Sequence, residues 1–273
     1  MNAFIIAVVA FIVVAQATDF HNVKFPMGHG RIVGGEEVVP HAYPYQAALA
    51  MKNAQDETFF CGGSLISKNM ILTAAHCVDG FVSIEVTLGA HNIRNPEEPT
   101  QVKSTSKIFV IHEDWKPFLL KNDIALVQLH NEIELNENVG LVSMPSRADV
   151  DKTFTDELCT VTGWGRASDS SNGLSPVLRH VELPIITNLQ CSISYPFMIH
   201  DTHICINGAG GKSSCNGDSG GPLVHKDKTG QIKQIGIVSF GKVSGCEKGY
   251  PGVFTRVTEY LDWIEKNAGI KIE

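Results

Sequence analysis

Runs of basic residues are missing from this sequence. Its 22 Lys and Arg are scattered among 29 Asp and Glu, for a formal net charge of −7 over 273 residues. Affinity for nucleic acid comes mainly from neutralising phosphates, so a mildly acidic chain without a Lys/Arg run excludes nucleic acid as a partner. Beyond solubility the charge says little. Asn-x-Ser/Thr acceptors are missing too, so N-glycosylation is not expected. No Cys-x-x-Cys or His-Glu-x-x-His pair is present, which argues against zinc. Internal repeats and low-complexity tracts are lacking. After residue 17 no apolar run is long enough to span a bilayer, so no membrane partner is expected.

What is there begins with one apolar run, residues 3–15, followed by Ala15-Gln16-Ala17. The pattern reads as a secretory signal, residues 1–17, cut after the small residue Ala17. A membrane anchor is the competing reading, but a spanning helix needs roughly 20 apolar residues, and no basic stop-transfer flank follows. The absence of Lys or Arg before the run is a small departure from the signal pattern. A secreted, extracellular chain is the expectation, and in such a compartment cysteines pair. The seven here are Cys61, Cys77, Cys159, Cys191, Cys205, Cys215 and Cys246. Seven is odd, so at least one is left over, and the spacing alone does not fix the connectivity.

Short β-rich runs punctuated by turn residues fill the rest, among them 83–88, 107–112, 124–129, 159–164, 180–186, 234–240 and 252–257. Strands this short and this regularly spaced indicate an all-β sandwich or barrel. The tail differs: residues 258–268 carry Leu261, Ile264 and Ala268 at helical spacing, with Thr258 as N-cap and Gly269 just beyond. Residues 140–150 are the least patterned stretch near the middle, so a boundary between two β units is placed near Pro145.

Three local sequences carry chemistry: Leu72-Thr73-Ala74-Ala75-His76-Cys77, Asn122-Asp123-Ile124-Ala125-Leu126, and Cys215-Asn216-Gly217-Asp218-Ser219-Gly220-Gly221-Pro222. A serine hydroxyl is a poor nucleophile near neutrality and needs a base to take its proton as it attacks. Histidine suits that role because its pKa lies near working pH. A buried carboxylate then fixes the imidazole tautomer and stabilises its charged form. Glycines beside the serine allow a tight turn whose N–H groups converge on one spot, as a tetrahedral oxyanion requires. Those groups are expected to be the N–H of Gly217 and of Ser219. A lone histidine or aspartate would read as structural; all three segments together, in the order His, Asp, Ser, point to nucleophilic acyl transfer.

In this order the segments resemble those of the chymotrypsin-like, trypsin-fold serine endopeptidases. The likeness runs from Ile32 to Gly269 and includes Ile32-Val33-Gly34-Gly35, Cys61-Gly62-Gly63-Ser64-Leu65, Gly163-Trp164-Gly165, Ser239-Phe240-Gly241 and Pro251-Gly252-Val253. Residues 88–94, Leu-Gly-Ala-His-Asn-Ile-Arg, and Cys215-Asn216-Gly217-Asp218 favour the arthropod chymotrypsin and brachyurin-type digestive branch. The resemblance implies two packed six-stranded antiparallel β-barrels, about 32–145 and 146–257, closed by a C-terminal α-helix at about 258–268. It implies catalysis by Ser219 as nucleophile, His76 as base and then acid, and Asp123 as orienter.

It further implies a precursor. Residues 18–31 would be a propeptide, and an activating protease cutting after Arg31 would free the α-amino group of Ile32 to pair with Asp218. The segment 18–31 has no cysteine to tether it after the cut. The primary pocket would have Ser213 at its floor and Ser239, Phe240, Gly241 and Gly252 around it. With no charge at the floor and glycine at the mouth and wall, the implied preference is for Phe, Tyr, Leu or Met on the acyl side. Elastase-like or collagenase-like specificity is the alternative within enzymes. A non-catalytic protease homologue acting as a binding protein is the alternative outside them. The implied disulfides are Cys61–Cys77, Cys191–Cys205 and Cys215–Cys246, each contributing about 2–4 kcal/mol. Cys159 is then a free thiol, because His225 stands where its usual partner would be. Calcium is not expected, since Ala90 occupies a position where a carboxylate would bind it. The expected partners are protein or peptide substrates, the activating protease and protein protease inhibitors, on a monomeric chain with no cofactor or metal.

Overall fold

The computed structural model describes residues 34–171 and 173–273. The expected signal segment, the propeptide with Arg31, and Ile32 lie outside the described residues. Two antiparallel sheets make up the body.

The first sheet comprises β2 (Gln46–Lys52), β3 (Thr58–Ser67), β4 (Met70–Thr73), β5 (Ser83–Leu88), β6 (Val102–Ser106), β7 (Ile108–Ile111) and β8 (Ala125–Gln128), in the order β6-β5-β2-β3-β4-β8-β7. Its edge strands β6 and β7 are consecutive in the chain and separated only by Lys107, so the sheet curls round on itself. Buried Ser106 fastens the bend: its hydroxyl donates to the Gln128 carbonyl (2.6 Å) and accepts from the Ile108 N–H (3.0 Å). The expected first six-stranded barrel is thus a curled, open sheet of seven segments, because this bend divides one strand into two.

The second sheet holds β1 (Glu36–Glu37), β9 (Leu158–Gly163), β10 (Arg179–Ile186), β11 (His203–Ile206), β12 (Pro222–Lys226), β13 (Ile232–Phe240) and β14 (Gly252–Arg256). Six of them close into a barrel, since β9 pairs with both β12 and β10. Strand β1 precedes the first sheet in sequence yet joins the outside of this barrel, pairing Glu36 with His180 and Glu37 with Arg179. The alternation legible in the sequence decides which side chains enter. Along β10, Val181, Leu183 and Ile185 are buried while Glu182 is exposed. They pack with Ile204, Ile235 and Phe254 in the barrel core.

The two bodies meet through polar as well as apolar contacts. Ser64 donates to the Gln234 Oε1, and Thr162 donates to the Gln46 Oε1; all four side chains are buried. Each amide oxygen finds a donor, and the Gln234 amide nitrogen donates to the Gly236 carbonyl.

A short helix, α1 (Asn188–Ser194), was not anticipated. Its signal was Thr187 followed three residues later by Gln190, whose side chains cap each other's backbone N–H groups. The C-terminal helix is α2 (Leu261–Ala268), ended by Gly269 in the left-handed region at φ 64° with its N–H on the Glu265 carbonyl. Thr258 is not its cap: a 3₁₀ turn over Val257–Tyr260 intervenes, and the α-helix starts after Tyr260. Leu261, Trp263, Ile264 and Ala268 belong to one buried apolar cluster with Ile71, Leu72 and Ala125 of the first sheet and the adjoining Ile124. A helix that leaves the second barrel therefore packs on the first body. No described helix is long and apolar enough to cross a membrane.

Ile264 is wholly buried in that contact. Replacing it, Ile264→Ala, should lower the free energy of unfolding by about 2–5 kcal/mol, read from urea denaturation; a change within experimental error would show that α2 does not tie the two bodies together.

Candidate active site

Strand β4 runs straight into a 3₁₀ turn over Ala75–Cys77, which carries His76. Cys77 is bonded to Cys61 on β3, so the turn is fixed on both sides. Asp123 arrives from another direction. Asn122 adopts φ 57°, a left-handed conformation that asparagine tolerates better than most residues, and turns the chain into β8. The two segments meet through one carboxylate. Asp123 Oδ2 lies 2.8 Å from His76 Nδ1, and Oδ1 accepts the His76 backbone N–H at 3.0 Å.

The same carboxylate is gripped from the second barrel. Ser239 on β13 donates to Oδ2 (2.6 Å), and Thr255 on β14 donates to the Asp123 carbonyl (2.7 Å). Asp123 is completely buried. Burial alone would raise its pKa, but the facing His76 and the hydrogen bonds from His76 and Ser239 outweigh that and hold it below the ordinary carboxylate range. A carboxylate at Nδ1 keeps the proton on that nitrogen and leaves the Nε2 lone pair available. Ser239 was expected only as a pocket residue; its hydroxyl contact with Asp123 depends on the two bodies being juxtaposed and has no local signature.

Ser219 sits on the turn that leads into β12. Backbone bonds define the turn: Asp218 N–H to the Cys215 carbonyl, Gly221 N–H to the Asp218 carbonyl, and Gly62 N–H to the Ser219 carbonyl at 2.7 Å. Gly220, at φ 77°, is forced by contact as well as by conformation. A Cβ there would lie 2.2 Å from Thr73 Oγ1 and 3.1 Å from Cys77 Sγ. The serine turn therefore rests directly on the segment that bears His76. The Ser219 hydroxyl makes no hydrogen bond to the His76 ring, whose Nε2 lies 3.7 Å from Cys77 Sγ. Among the described residues, the N–H groups of Gly217 (φ 103°) and Ser219 donate to no protein acceptor.

Asp218 is buried beside the Ser219 turn. Its oxygens accept the N–H of Gly165 and of Cys215, each at 2.8 Å. The Gly163-Trp164-Gly165 motif has its reason here: a Cβ on Gly163 or Gly165 would lie 2.2 or 2.3 Å from an Asp218 oxygen. Arg31 and Ile32 lie outside the described residues.

Ser213, Ser239, Phe240 and Gly252 are all buried, and half-buried Gly241 comes directly after the last residue of β13. The Cys215–Cys246 disulfide crosses this region, and Cys61–Cys77 and Cys191–Cys205 complete the three pairs that the resemblance implied. Cys159 is the free cysteine among the described residues; it is buried opposite His225 in the β9–β12 pair, and burial pushes its thiol up to about 12. Two clusters, Cys61/His76/Cys77 and Asp169/Cys215/Cys246, gather ligand-type atoms, but each pair of sulfurs is consumed in a disulfide and only one donor remains in each. Asp169 has a different use: it accepts from the N–H of Cys246 and of Glu247, while Glu247 accepts from the Asp169 N–H.

Sequence reasoning missed His203. This buried imidazole accepts the His200 N–H at Nδ1 (3.1 Å) and meets the Leu120 carbonyl at Nε2 (3.3 Å), three residues before Asp123. Burial lowers its pKa from 6.5 to about 4. The unfolded chain therefore takes up this proton first, and the stabilisation present above pH 6.5 is lost as pH falls towards 4. Asp123 acts in a lower window: its contribution persists above the ordinary carboxylate range and is lost as pH drops through its depressed pKa. Unfolding free energy of His203→Gln should be flatter between pH 6.5 and 4 than that of the parent, the difference in slope amounting to roughly 3 kcal/mol across the window. Parallel pH profiles for the two proteins would refute the assignment.

Comparison with known proteins agrees with this geometry. The family model described as Trypsin matches residues 32–264. Brachyurin of Leptuca pugilator is 48% identical over 239 residues, covering 88% of this chain and 99% of that protein. Chymotrypsin of Phaedon cochleariae is 40% identical over 237 residues, covering 87% and 82%. Collagenase of Hypoderma lineatum is 38% identical over 247 residues, covering 90% of each. The solved HL collagenase structure superposes with a TM-score of 0.80 at 37% identity, covering 88% of this chain and 100% of that one. With the family model spanning both bodies and relatives this similar along nearly their full length, the chain belongs to the trypsin family of serine endopeptidases.

Proposed function

We propose that the chain is secreted as an inactive precursor, is activated by cleavage after Arg31, and then hydrolyses peptide bonds on the carboxyl side of large apolar or aromatic residues. The observation that carries the reading is the Asp123–His76 contact, with the Ser219 turn seated on the same disulfide-pinned segment.

In this mechanism Ser219 attacks the scissile carbonyl carbon while His76 Nε2 takes the hydroxyl proton. Asp123 holds Nδ1–H and stabilises the imidazolium. The oxyanion is received by the N–H groups of Gly217 and Ser219, which have no competing protein acceptor among the described residues. His76 returns the proton to the leaving amine, and water then releases the acyl group from Ser219 by the same steps in reverse. Ser213 brings no charge to the pocket floor, which favours an uncharged side chain there. Support for secretion comes from the residue 1–17 signal pattern and the three disulfides.

Activation has a direct electrostatic logic. The freed α-amino group of Ile32 would pair with Asp218, and a buried carboxylate that gains an ammonium holds the Gly217 turn in place. A second reading of specificity, collagenolysis, is favoured by one observation: a relative of similar length is named Collagenase.

The test is to activate the purified precursor with trypsin, remove the trypsin, and compare peptides carrying Phe, Leu, Ala or Arg before a reporter group, with native collagen as a further arm. Phe and Leu should lead. Dominant cleavage after Arg or Ala, or of collagen, would replace the specificity reading. Failure of a fluorophosphonate to label Ser219 would replace catalysis with binding. Asp123→Asn should lower turnover by about 10⁴-fold while the protein stays folded; turnover near the parent's would remove Asp123 from the mechanism. Pairing raises the pKa of an α-amino group above its free value of about 8, so activity should be lost at alkaline pH as the Ile32 amine deprotonates. Flat activity through strongly alkaline pH, with circular dichroism unchanged, would contradict the pairing.

A further inference from the structure

Lys242 follows Gly241 at the point where the chain leaves β13 and enters the loop that ends at Gly252. Lysines in exposed loops ordinarily extend into water. This one is only partly exposed, and its ammonium is engaged three times. It donates to the Ser194 carbonyl at the end of α1, lies 5.1 Å from the centroid of the Tyr195 ring, and lies 5.4 Å from that of Tyr250.

These partners come from two places around the pocket. Ser194 and Tyr195 belong to the end of α1, which the Cys191–Cys205 disulfide fastens to β11. Tyr250 lies at the far end of the same loop, two residues before Gly252. Tyr195 is itself a junction: its hydroxyl donates to the Pro251 carbonyl (2.6 Å), and its ring stands edge-on to Phe240 at 5.6 Å. An ammonium over an aromatic face is attracted by the ring quadrupole, more strongly as water is excluded. Two rings and a carbonyl around one cation draw the first residue of the loop towards its last.

We infer that Lys242 is a positioning residue for primary specificity: it clamps the two ends of the 242–250 loop to α1 and so sets the width of the pocket between Gly241 and Gly252. The inference rests on the pocket reading given above. The ammonium touches no reacting atom, and with its contacts spent inside the protein it does not read an acidic substrate side chain.

The experiment uses the activated full chain with three side chains at this position: the parent lysine, Lys242→Met, which keeps the length and removes the charge, and Lys242→Arg, which restores a cation able to stack and donate. Rates are referred to the fraction of enzyme titrated by a fluorophosphonate, so misfolded protein does not contribute. The preference for Phe over Ala, as a ratio of kcat/KM, should fall about tenfold in Lys242→Met, carried mainly by KM for the Phe substrate, and should recover in Lys242→Arg. Hydrogen exchange of the amides across 243–249 should accelerate by about tenfold in Lys242→Met alone, as a local opening made easier requires.

A Phe/Ala ratio and exchange rates unchanged in Lys242→Met would overturn the clamp. So would a preference for a Glu-containing peptide that the parent shows and Lys242→Met loses, because the ammonium would then be reading substrate. A parent enzyme with no preference for Phe over Ala sinks the pocket reading instead. In that case the exchange measurement still decides whether Lys242 holds the loop.

Discussion

One buried carboxylate joins the two halves of this molecule. Asp123 is carried by the first body, yet half of its satisfaction comes from the second: His76 supplies a ring N–H and a backbone N–H, while Ser239 and Thr255 supply hydroxyls to its carboxylate and carbonyl. A charge removed from water without partners is strongly unfavourable, and removing one partner from a satisfied group leaves the remainder exposed to that penalty. The arrangement holds only while the two bodies are docked. Docking is in turn secured by α2 against the first sheet and by the buried Gln46 and Gln234 contacts. The proposed catalytic geometry and the stability of the interface are therefore the same interaction seen from two sides.

The second constraint is steric. The turn bearing Ser219 passes so close to Thr73, Gly62 and Cys77 that no side chain fits at position 220. The glycines at 163 and 165 leave room for Asp218 in the same way. Close backbone approach places the turn, Asp218 braces it from inside, and the N–H groups of Gly217 and Ser219 donate to no protein acceptor among the described residues. In the proposed mechanism these two N–H groups would receive the oxyanion, and donors fixed in advance need no reorganisation as charge develops on a substrate.

Much of this was legible before any coordinates. Alternation along β10 and the helical spacing of Leu261, Ile264 and Ala268 reflect burial periods of two and about 3.6, and those periods are local. Family likeness supplied the pairing of the cysteines and the order of the triad segments. Illegible features share one cause. The curled edge at Lys107, the crossing of β1 to the second barrel, the contact of Ser239 with Asp123, the lowered pKa of His203 and the enclosure of Lys242 all depend on residues far apart in sequence. The 3₁₀ turn before α2 misled for another reason: Thr258 has the chemistry of a cap, but tertiary packing buried it inside the preceding turn.

By itself the sequence determined the class of strands, the closing helix, the residue types able to form a nucleophile, base and orienter, and the glycines that a tight turn demands. These follow from short-range sterics and from the intrinsic chemistry of side chains, both written into neighbouring residues. Tertiary structure alone decided which hydroxyl would share the buried carboxylate, which imidazole would be stripped of water and which lysine would be enclosed by rings. Desolvation and electrostatic pairing are properties of an environment, and that environment exists only after both bodies have closed around it.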